Sequence, residues 1–194
     1  AIDSQTTHKM LGLFNNSHMN YEADRDLSTT GEPSLAEMTS KAIDVLANNE
    51  KGFFLMVEAG RIDHGHHAGN AYRALTDAIA FSDAVKAATE NNKIDLADTL
   101  IVVTADHSHV FTIAGYPTKG NPILGHVIGN DAAGNSTGQL SLASDDMPYT
   151  TVGYSNGLGF ADLAQGGDTR YAQAPQTGRQ DTTNINTQGQ GYHQ

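Results

Sequence analysis

The pattern of apolar and polar positions predicts a helix directly after Pro33. Ser34 and Glu37 form a Ser-x-x-Glu capping box, and Asn48-Asn49 can end the helix. Between these signals apolar residues recur at helical spacing, at Leu35, Met38, Ala42, Val45 and Leu46. We therefore expect an amphipathic helix that buries this face.

Two continuous apolar runs, residues 53–58 and 99–104, enclose a second helical pattern over residues 68–91. Each run is too short for a helix and is typical of a strand buried on both faces of a parallel sheet. The predicted helix carries one apolar face, at Ala71, Leu75, Ala78, Ile79, Ser82 and Val85. A strand, a helix and a strand in this order predict a right-handed crossover, with ligands outside the carboxyl ends of the strands.

From Tyr116 onward the chain is rich in glycine, asparagine, serine and threonine. Residues 149–154 predict one more strand, whereas residues beyond Asn156 are polar and irregular. The first five residues lack the basic and apolar regions of a signal peptide, as a mature or truncated chain would.

Composition excludes several functional classes. The 22 acidic residues exceed the 11 basic ones, and a formal net charge of −11 argues against nucleic acid or a basic membrane-surface patch. Hydrophobic residues make up 38% of the chain, and no apolar run reaches the about 18 residues that a membrane span needs. The chain has no cysteine, so disulfides, thiolate nucleophiles and cysteine metal sites are excluded.

Five of the nine histidines stand in two short clusters, each directly after a predicted strand. Residues 58–67 contain two carboxylates and three histidines, and residues 106–109 contain one carboxylate and two histidines. A lone residue of this kind is usually a hydrogen-bonded loop residue. Two such groups at neighbouring strand ends, however, crowd charge that a bound cation would offset.

The residue types in the two clusters indicate which cations they suit. Imidazole nitrogens and carboxylate oxygens suit zinc, and a glutamate with waters suits magnesium. Two zinc ions about 4 Å apart form a clamp for in-line phosphoryl transfer. Chemistry on phosphate esters is therefore the first hypothesis.

Residues 57–67 (VEAGRIDHGHH) and 104–111 (TADHSHVF) closely resemble the alkaline phosphatase family, particularly its histidine-rich animal branch. Residues 35–39, 71–76 and 115–117 are also similar, so the resemblance runs from about Leu11 to Gly159. It implies an α/β fold, a three-layer sandwich around a mostly parallel central sheet, of which this chain is the middle-to-late part. Residues 1–157 are then the partial core, residues 158–191 a crown-like irregular excursion, and residues 192–194 the start of the return to the core.

The resemblance implies three metal ions, two of zinc and one of magnesium. Asp63 and His67 match two ligands of the first zinc. Asp106 and His107 match two ligands of the second, and Glu58 matches the magnesium-binding glutamate.

Other members of the two clusters have supporting roles by the same resemblance. His109 is similar to a histidine that hydrogen-bonds the first zinc's aspartate, here Asp63, and fixes its orientation. His64 is similar to a histidine near the bound phosphate or the magnesium site. His66 has no implied ligand role, so a solvated or supporting position is favoured, and for Arg61 a salt bridge is favoured over phosphate contact.

The implied activity is hydrolysis of phosphate monoesters through a phosphoserine intermediate. The family's serine stands in an Asp-Ser-Ala context that no residue here matches, because Gln5 follows Asp3-Ser4. The catalytic serine is therefore expected outside this chain, as is a zinc histidine in a Thr-His-x-Gly-Glu context, for which His193 is no convincing substitute.

The resemblance further implies a periplasmic or secreted homodimer that binds phosphate monoesters and inorganic phosphate. The acidic excess is also consistent with a salt-adapted surface. One alternative is a non-catalytic metal- or phosphate-binding protein on the same fold. Another is a phosphomutase, phosphodiesterase or sulfatase, relatives that are not expected to carry the motif at residues 61–67.

Overall fold

The computed structural model describes residues 2–28, 31–113, 115–143, 146 and 148–154. The domain boundary predicted after residue 157, with the excursion over 158–191 and the return at 192–194, lies outside the described residues. The described chain forms two compact units. Among the described residues, the first comprises those up to Ile62 together with Arg73–Asp106, and the second comprises Asp63–Tyr72 and those from His107 to Tyr154.

Helices and strands occupy the following positions in the described part of the chain. The helices are α1 (Leu35–Leu46), α2 (Arg61–His67) and α3 (Ala71–Thr89), with a short 3-10 helix at Glu22–Asp24. The strands are β1 (Phe111–Ile113), β2 (Ile128–Asn130), β3 (Ser136–Leu140) and β4 (Val152–Tyr154). None of the described helices is long and apolar enough to cross a membrane.

The helix predicted after Pro33 is confirmed as α1. Its capping box is formed in both directions: the Ser34 hydroxyl accepts from the Glu37 N–H at 3.1 Å, and the Glu37 carboxylate accepts from the Ser34 N–H at 2.7 Å. The buried residues are Thr39, Ile43 and Val45, so of the predicted apolar positions only Val45 is buried.

Helix α3 is also confirmed, over a slightly shorter range than predicted, but its predicted face is wrong in part. Ile79 is 63% exposed and Ser82 is exposed, whereas the small residues Ala74 and Ala84 are buried. Because alanines occur around the whole helix, the apolar spacing does not define a single face.

The two apolar runs predicted as buried strands, residues 53–58 and 99–104, are not strands in the structure. A strand requires a hydrogen-bonded neighbour, and no described residue pairs with either run. Their side chains are largely exposed, 89% for Phe54 and 87% for Leu100. The predicted parallel sheet and its crossover are thus not observed in the described residues, whose two sheets are small and antiparallel.

The second unit contains both of these sheets. Strand β1 pairs with β4 in a register that places Phe111 opposite Tyr154, which confirms the end of the strand predicted over 149–154. Strands β2 and β3 form a hairpin that the sequence did not predict. Apolar and polar residues do not alternate along β3, because all of its residues are exposed. Its turn is formed by the Asp131 carboxylate, which accepts the N–H groups of Ala133 and Asn135 at 2.9 Å each.

Candidate metal centre

Helix α2 contains all three histidines of the first cluster, residues 58–67. The sequence predicted a loop here, but residues 61–67 are helical, and the helix ends in a Schellman motif. The N–H of Asn70 donates to the carbonyl of Gly65, and that of Gly69 donates to the carbonyl of His66, both at 2.9 Å, while Gly69 has a φ of 61°. Within this seven-residue helix Asp63 and His67 are four residues apart, so they lie on the same face.

The carboxylate of Asp63 is surrounded by imidazole nitrogens. Nε2 of His67 lies 3.3 Å from Asp63 Oδ2, and Nε2 of His109 and of His107 lie 3.6 and 3.8 Å from Oδ1. Oδ1 is itself buried and accepts no hydrogen bond from the described residues. Burying a carboxylate oxygen without a hydrogen bond costs free energy, which a bound cation would offset.

The distances in this cluster fit a bound metal ion. Two ligand atoms that are each about 2.0–2.2 Å from a tetrahedral zinc lie roughly 3.3–3.5 Å from one another. Atoms of Asp63, His67 and His109 lie within 4.8 Å of one another, and the Asp63 to His67 distance of 3.3 Å matches a tetrahedral edge. The donor set, oxygen and imidazole nitrogen, is also one that zinc accepts.

Hydrogen bonds to the backbone determine which ring nitrogens of His107 and His109 carry protons. Nδ1 of His107 lies 2.7 Å from the carbonyl oxygen of Ser108, which can only accept, so a neutral His107 presents the lone pair of Nε2. Nδ1 of His109 instead accepts from the N–H of Val110 at 2.9 Å, so a neutral His109 carries its proton on Nε2, the nitrogen that lies 3.6 Å from Asp63 Oδ1. A neutral His107 thus has a lone pair at Nε2 with which it could bind a metal ion, whereas a neutral His109 has an N–H at that atom.

His66 lies in an aromatic cluster. Its Nδ1 is 2.9 Å from the hydroxyl of Tyr154, and its ring stacks on His109 and tilts against Phe111, with centroids 5.3 and 4.9 Å away. Burial, reinforced by His109, lowers the pKa of His66, and burial raises the pKa of Tyr154. Both side chains are therefore uncharged at neutral pH, and their contact is an ordinary hydrogen bond.

The other predicted site residues are placed as follows. His64 belongs to α2 but not to the group of close ligand atoms found among the described residues. Glu58 and Asp106 belong to the first unit. Glu58 lines a cavity of about 100 Å³ there, together with Arg61 and Asp77. The guanidinium of Arg61 lies 3.9 Å above the ring of Tyr21.

Sequence reasoning missed Tyr21, Asp77 and Tyr154. Burial raises the pKa of Asp77 to about 6, although its carboxylate accepts the N–H of Glu22 at 3.1 Å and Arg61 favours its ionised form. Each of these residues acquires its role from a partner more than 30 positions away, such as Glu22 for Asp77 or His66 for Tyr154. No local pattern could have identified them.

The histidine and carboxylate cluster defines the class, a protein with a candidate site for a divalent metal. The chain belongs to the alkaline phosphatase family, whose model matches residues 1–190. Members of this family generally bind metal ions and have an α/β fold. The resemblance carried by residues 57–67 and 104–111 is therefore confirmed.

Three animal proteins show how far the similarity extends. The chain is 46% identical over 166 residues to a membrane-bound alkaline phosphatase of Bombyx mori, covering 86% of this chain and 27% of that protein. It is 44% and 46% identical over 161 and 160 residues to tissue-nonspecific isozymes of Rattus norvegicus and Gallus gallus, covering 82% of this chain and 28% of each. The chain therefore spans just over a quarter of the length of these relatives.

Proposed function

We propose that the whole protein to which these residues belong is a metal-dependent alkaline phosphatase that hydrolyses phosphate monoesters. The observation that carries the proposal is the cluster at Asp63, where three imidazole nitrogens lie 3.3–3.8 Å from the carboxylate oxygens and the 3.3 Å spacing of Asp63 and His67 is typical of two ligands of one metal ion. Membership of the family supports the reaction class. The nucleophile in this proposal is a serine outside the chain, which forms a phosphoserine intermediate.

The metal set of the proposal is two zinc ions and one magnesium ion. Asp63 and His67 would hold the first zinc, Asp106 and His107 the second, and Glu58 the magnesium. The lone pair that His107 presents at Nε2 supports its assignment as a ligand. Bound zinc lowers the pKa of an attacking oxygen and offsets negative charge on the phosphoryl group.

The residues of this chain contribute mainly by positioning. Helix α2 places Asp63 and His67 in fixed relation, so little ordering entropy remains to be lost on binding. The Nε2–H of His109 lies 3.6 Å from Asp63 Oδ1, where it can attract that oxygen electrostatically. This geometry supports His109 as the donor that orients Asp63, and we propose that His64 lies close to the phosphate or the magnesium.

The remaining proposals concern the substrates, the assembly and the location. Phosphate monoesters are the proposed substrates and inorganic phosphate the product. A homodimer in the periplasm or outside the cell is proposed from the family resemblance. The net charge of −11 supports a salt-adapted acidic surface.

The test measures zinc content and hydrolysis of a chromogenic phosphate monoester by the intact protein at alkaline pH. We expect hydrolysis to require zinc and to be stimulated by magnesium. His107→Ala should lower the zinc content by one ion per chain and abolish most of the activity, because it removes the Nε2 lone pair that would bind the second zinc. His8→Ala, at an exposed histidine, is the matched control and should change neither quantity.

Two results would contradict the proposal. Zinc binding by the intact protein without hydrolysis would favour the non-catalytic metal-binding alternative. Loss of activity in His107→Ala with unchanged zinc content would contradict the assignment of His107 as a ligand.

A further inference from the structure

The aromatic cluster next to the candidate metal centre connects strand β4 to helix α2. The β1–β4 pairing places Phe111 opposite Tyr154, and their rings lie 5.5 Å apart. The hydroxyl of Tyr154 then reaches Nδ1 of His66 at 2.9 Å. This contact joins two residues 88 positions apart in sequence.

We propose that Tyr154 is a positioning residue of the metal centre, which holds the ring of His66 and, through it, the ring of His109 against Asp63. The first step in the argument is rotational. A half-turn of the His66 ring about its last torsion would replace Nδ1 by a carbon and break the hydrogen bond to Tyr154. The hydroxyl therefore selects one of the two ring orientations.

The second step concerns packing. The ring of His66 lies 5.3 Å from that of His109 with 29° between their planes, within the range of stacked aromatic contacts. The side chain of His109 is only 7% exposed, so its ring has little room to move once His66 is held. Its Nε2 lies 3.6 Å from Asp63 Oδ1, longer than a hydrogen bond, so the proposed influence of the imidazole on the carboxylate is electrostatic.

The inference rests on the proposed function, because it assumes that Asp63 binds zinc. In the intact protein, Tyr154→Phe removes the hydroxyl and keeps the ring. We expect zinc affinity at this site, measured by competition with a chromogenic chelator, to fall by about tenfold, the lower end of the cost of losing a partner that orients a ligand. Cobalt substituted for zinc should show shifted visible absorption bands, a signature that altered folding stability alone would not produce.

A second variant shows whether the hydroxyl acts through His66. His66→Phe keeps a stacked ring but lacks Nδ1, and we expect the same loss of affinity. In the His66→Phe background, Tyr154→Phe should have no further effect, because the two residues act as one unit. Tyr116→Phe, at a tyrosine that is 92% exposed in the same unit, is the matched control and should leave affinity and spectrum unchanged.

The outcomes separate the inference from the function on which it rests. If the unmodified protein binds no zinc, the proposed function is contradicted. If it binds zinc and Tyr154→Phe keeps both the affinity and the cobalt spectrum, only the positioning role is contradicted. An equal loss in the His66→Phe background also overturns it, and if Tyr154→Phe does not fold, unchanged affinity in His66→Phe alone has the same consequence.

Discussion

Asp63 and Asp77 are half-buried carboxylates on successive helices, one in each unit, yet their surroundings differ in kind. Asp77 accepts a backbone N–H from Glu22 at 3.1 Å, and Arg61 acts on it electrostatically. Oδ1 of Asp63 receives no hydrogen bond from the described residues, and the imidazoles around it lie 3.3–3.8 Å from its oxygens.

The difference between the two carboxylates distinguishes a structural acid from a candidate ligand. The protein itself provides Asp77 with a hydrogen bond from a backbone N–H. Burial raises the pKa of Asp77, because the buried carboxyl group is more stable in its uncharged, protonated form. Around Asp63, Nε2 of His67 lies 3.3 Å from Oδ2, the spacing of two atoms that bind one metal ion, and the nearest nitrogens to Oδ1 lie 3.6 and 3.8 Å away, beyond hydrogen-bond distance. The distances to its neighbours, more than its burial, make Asp63 the candidate ligand.

The strongest test of this comparison exchanges each carboxylate for an amide in the intact protein. Asp63→Asn should lower zinc affinity at its site by more than about 100-fold, since loss of a partner that merely orients a ligand already costs 10–100-fold. Asp77→Asn should leave zinc affinity and content unchanged. Zinc affinity that falls equally in both variants would mean that the two carboxylates do not differ as proposed.

The second test uses the pKa of Asp77, which burial raises to about 6. The folded protein therefore binds this proton more tightly than the unfolded chain does, and the stability contributed by the protonated group is lost as pH rises from about 4 through 6. Asp77→Asn should raise the free energy of unfolding at pH 7 by about 1–2 kcal/mol, after allowance for solvent screening, and have little effect at pH 4.

Denaturant unfolding at both pH values measures this effect. Asp83→Asn, at an exposed position of the same helix, is the control and should show no such pH dependence. A stabilisation by Asp77→Asn that is equal at pH 4 and pH 7 would contradict a titration of Asp77.

The smallest expected effect concerns Tyr21, whose ring lies under two guanidinium groups. Arg61 and Arg73 stand 3.9 and 4.6 Å from the ring centroid. Tyr21→Leu should therefore lower the free energy of unfolding by about 1 kcal/mol, the scale of partly exposed cation–π contacts. Zinc affinity should not change, and Tyr116→Leu, at an exposed ring, should leave stability nearly unchanged.

The sequence predicted the elements that depend on neighbours in the chain. The capping box of α1 and the helical pattern of α3 are local, and both helices form where expected. The β2–β3 hairpin was not predicted, since its polar, exposed strands have no alternation, and the runs at 53–58 and 99–104 have no paired neighbour among the described residues. Strands depend on distant partners, and their apolar pattern alone cannot supply one.

By itself the sequence determined the family, the two clusters of chemistry-bearing residues and the candidate ligands Asp63, His67 and His107, because motif spacing is a property of the chain. Only the tertiary structure decided how these groups work together. In the structure residues 61–67 form a helix, and backbone hydrogen bonds determine which ring nitrogens of His107 and His109 carry protons. The hydroxyl of Tyr154 contacts the ring of His66. The contact of Tyr154 with His66 depends on a distance of 2.9 Å between side chains 88 positions apart, and the proton positions depend on the orientation of each ring toward the backbone, neither of which a linear pattern records.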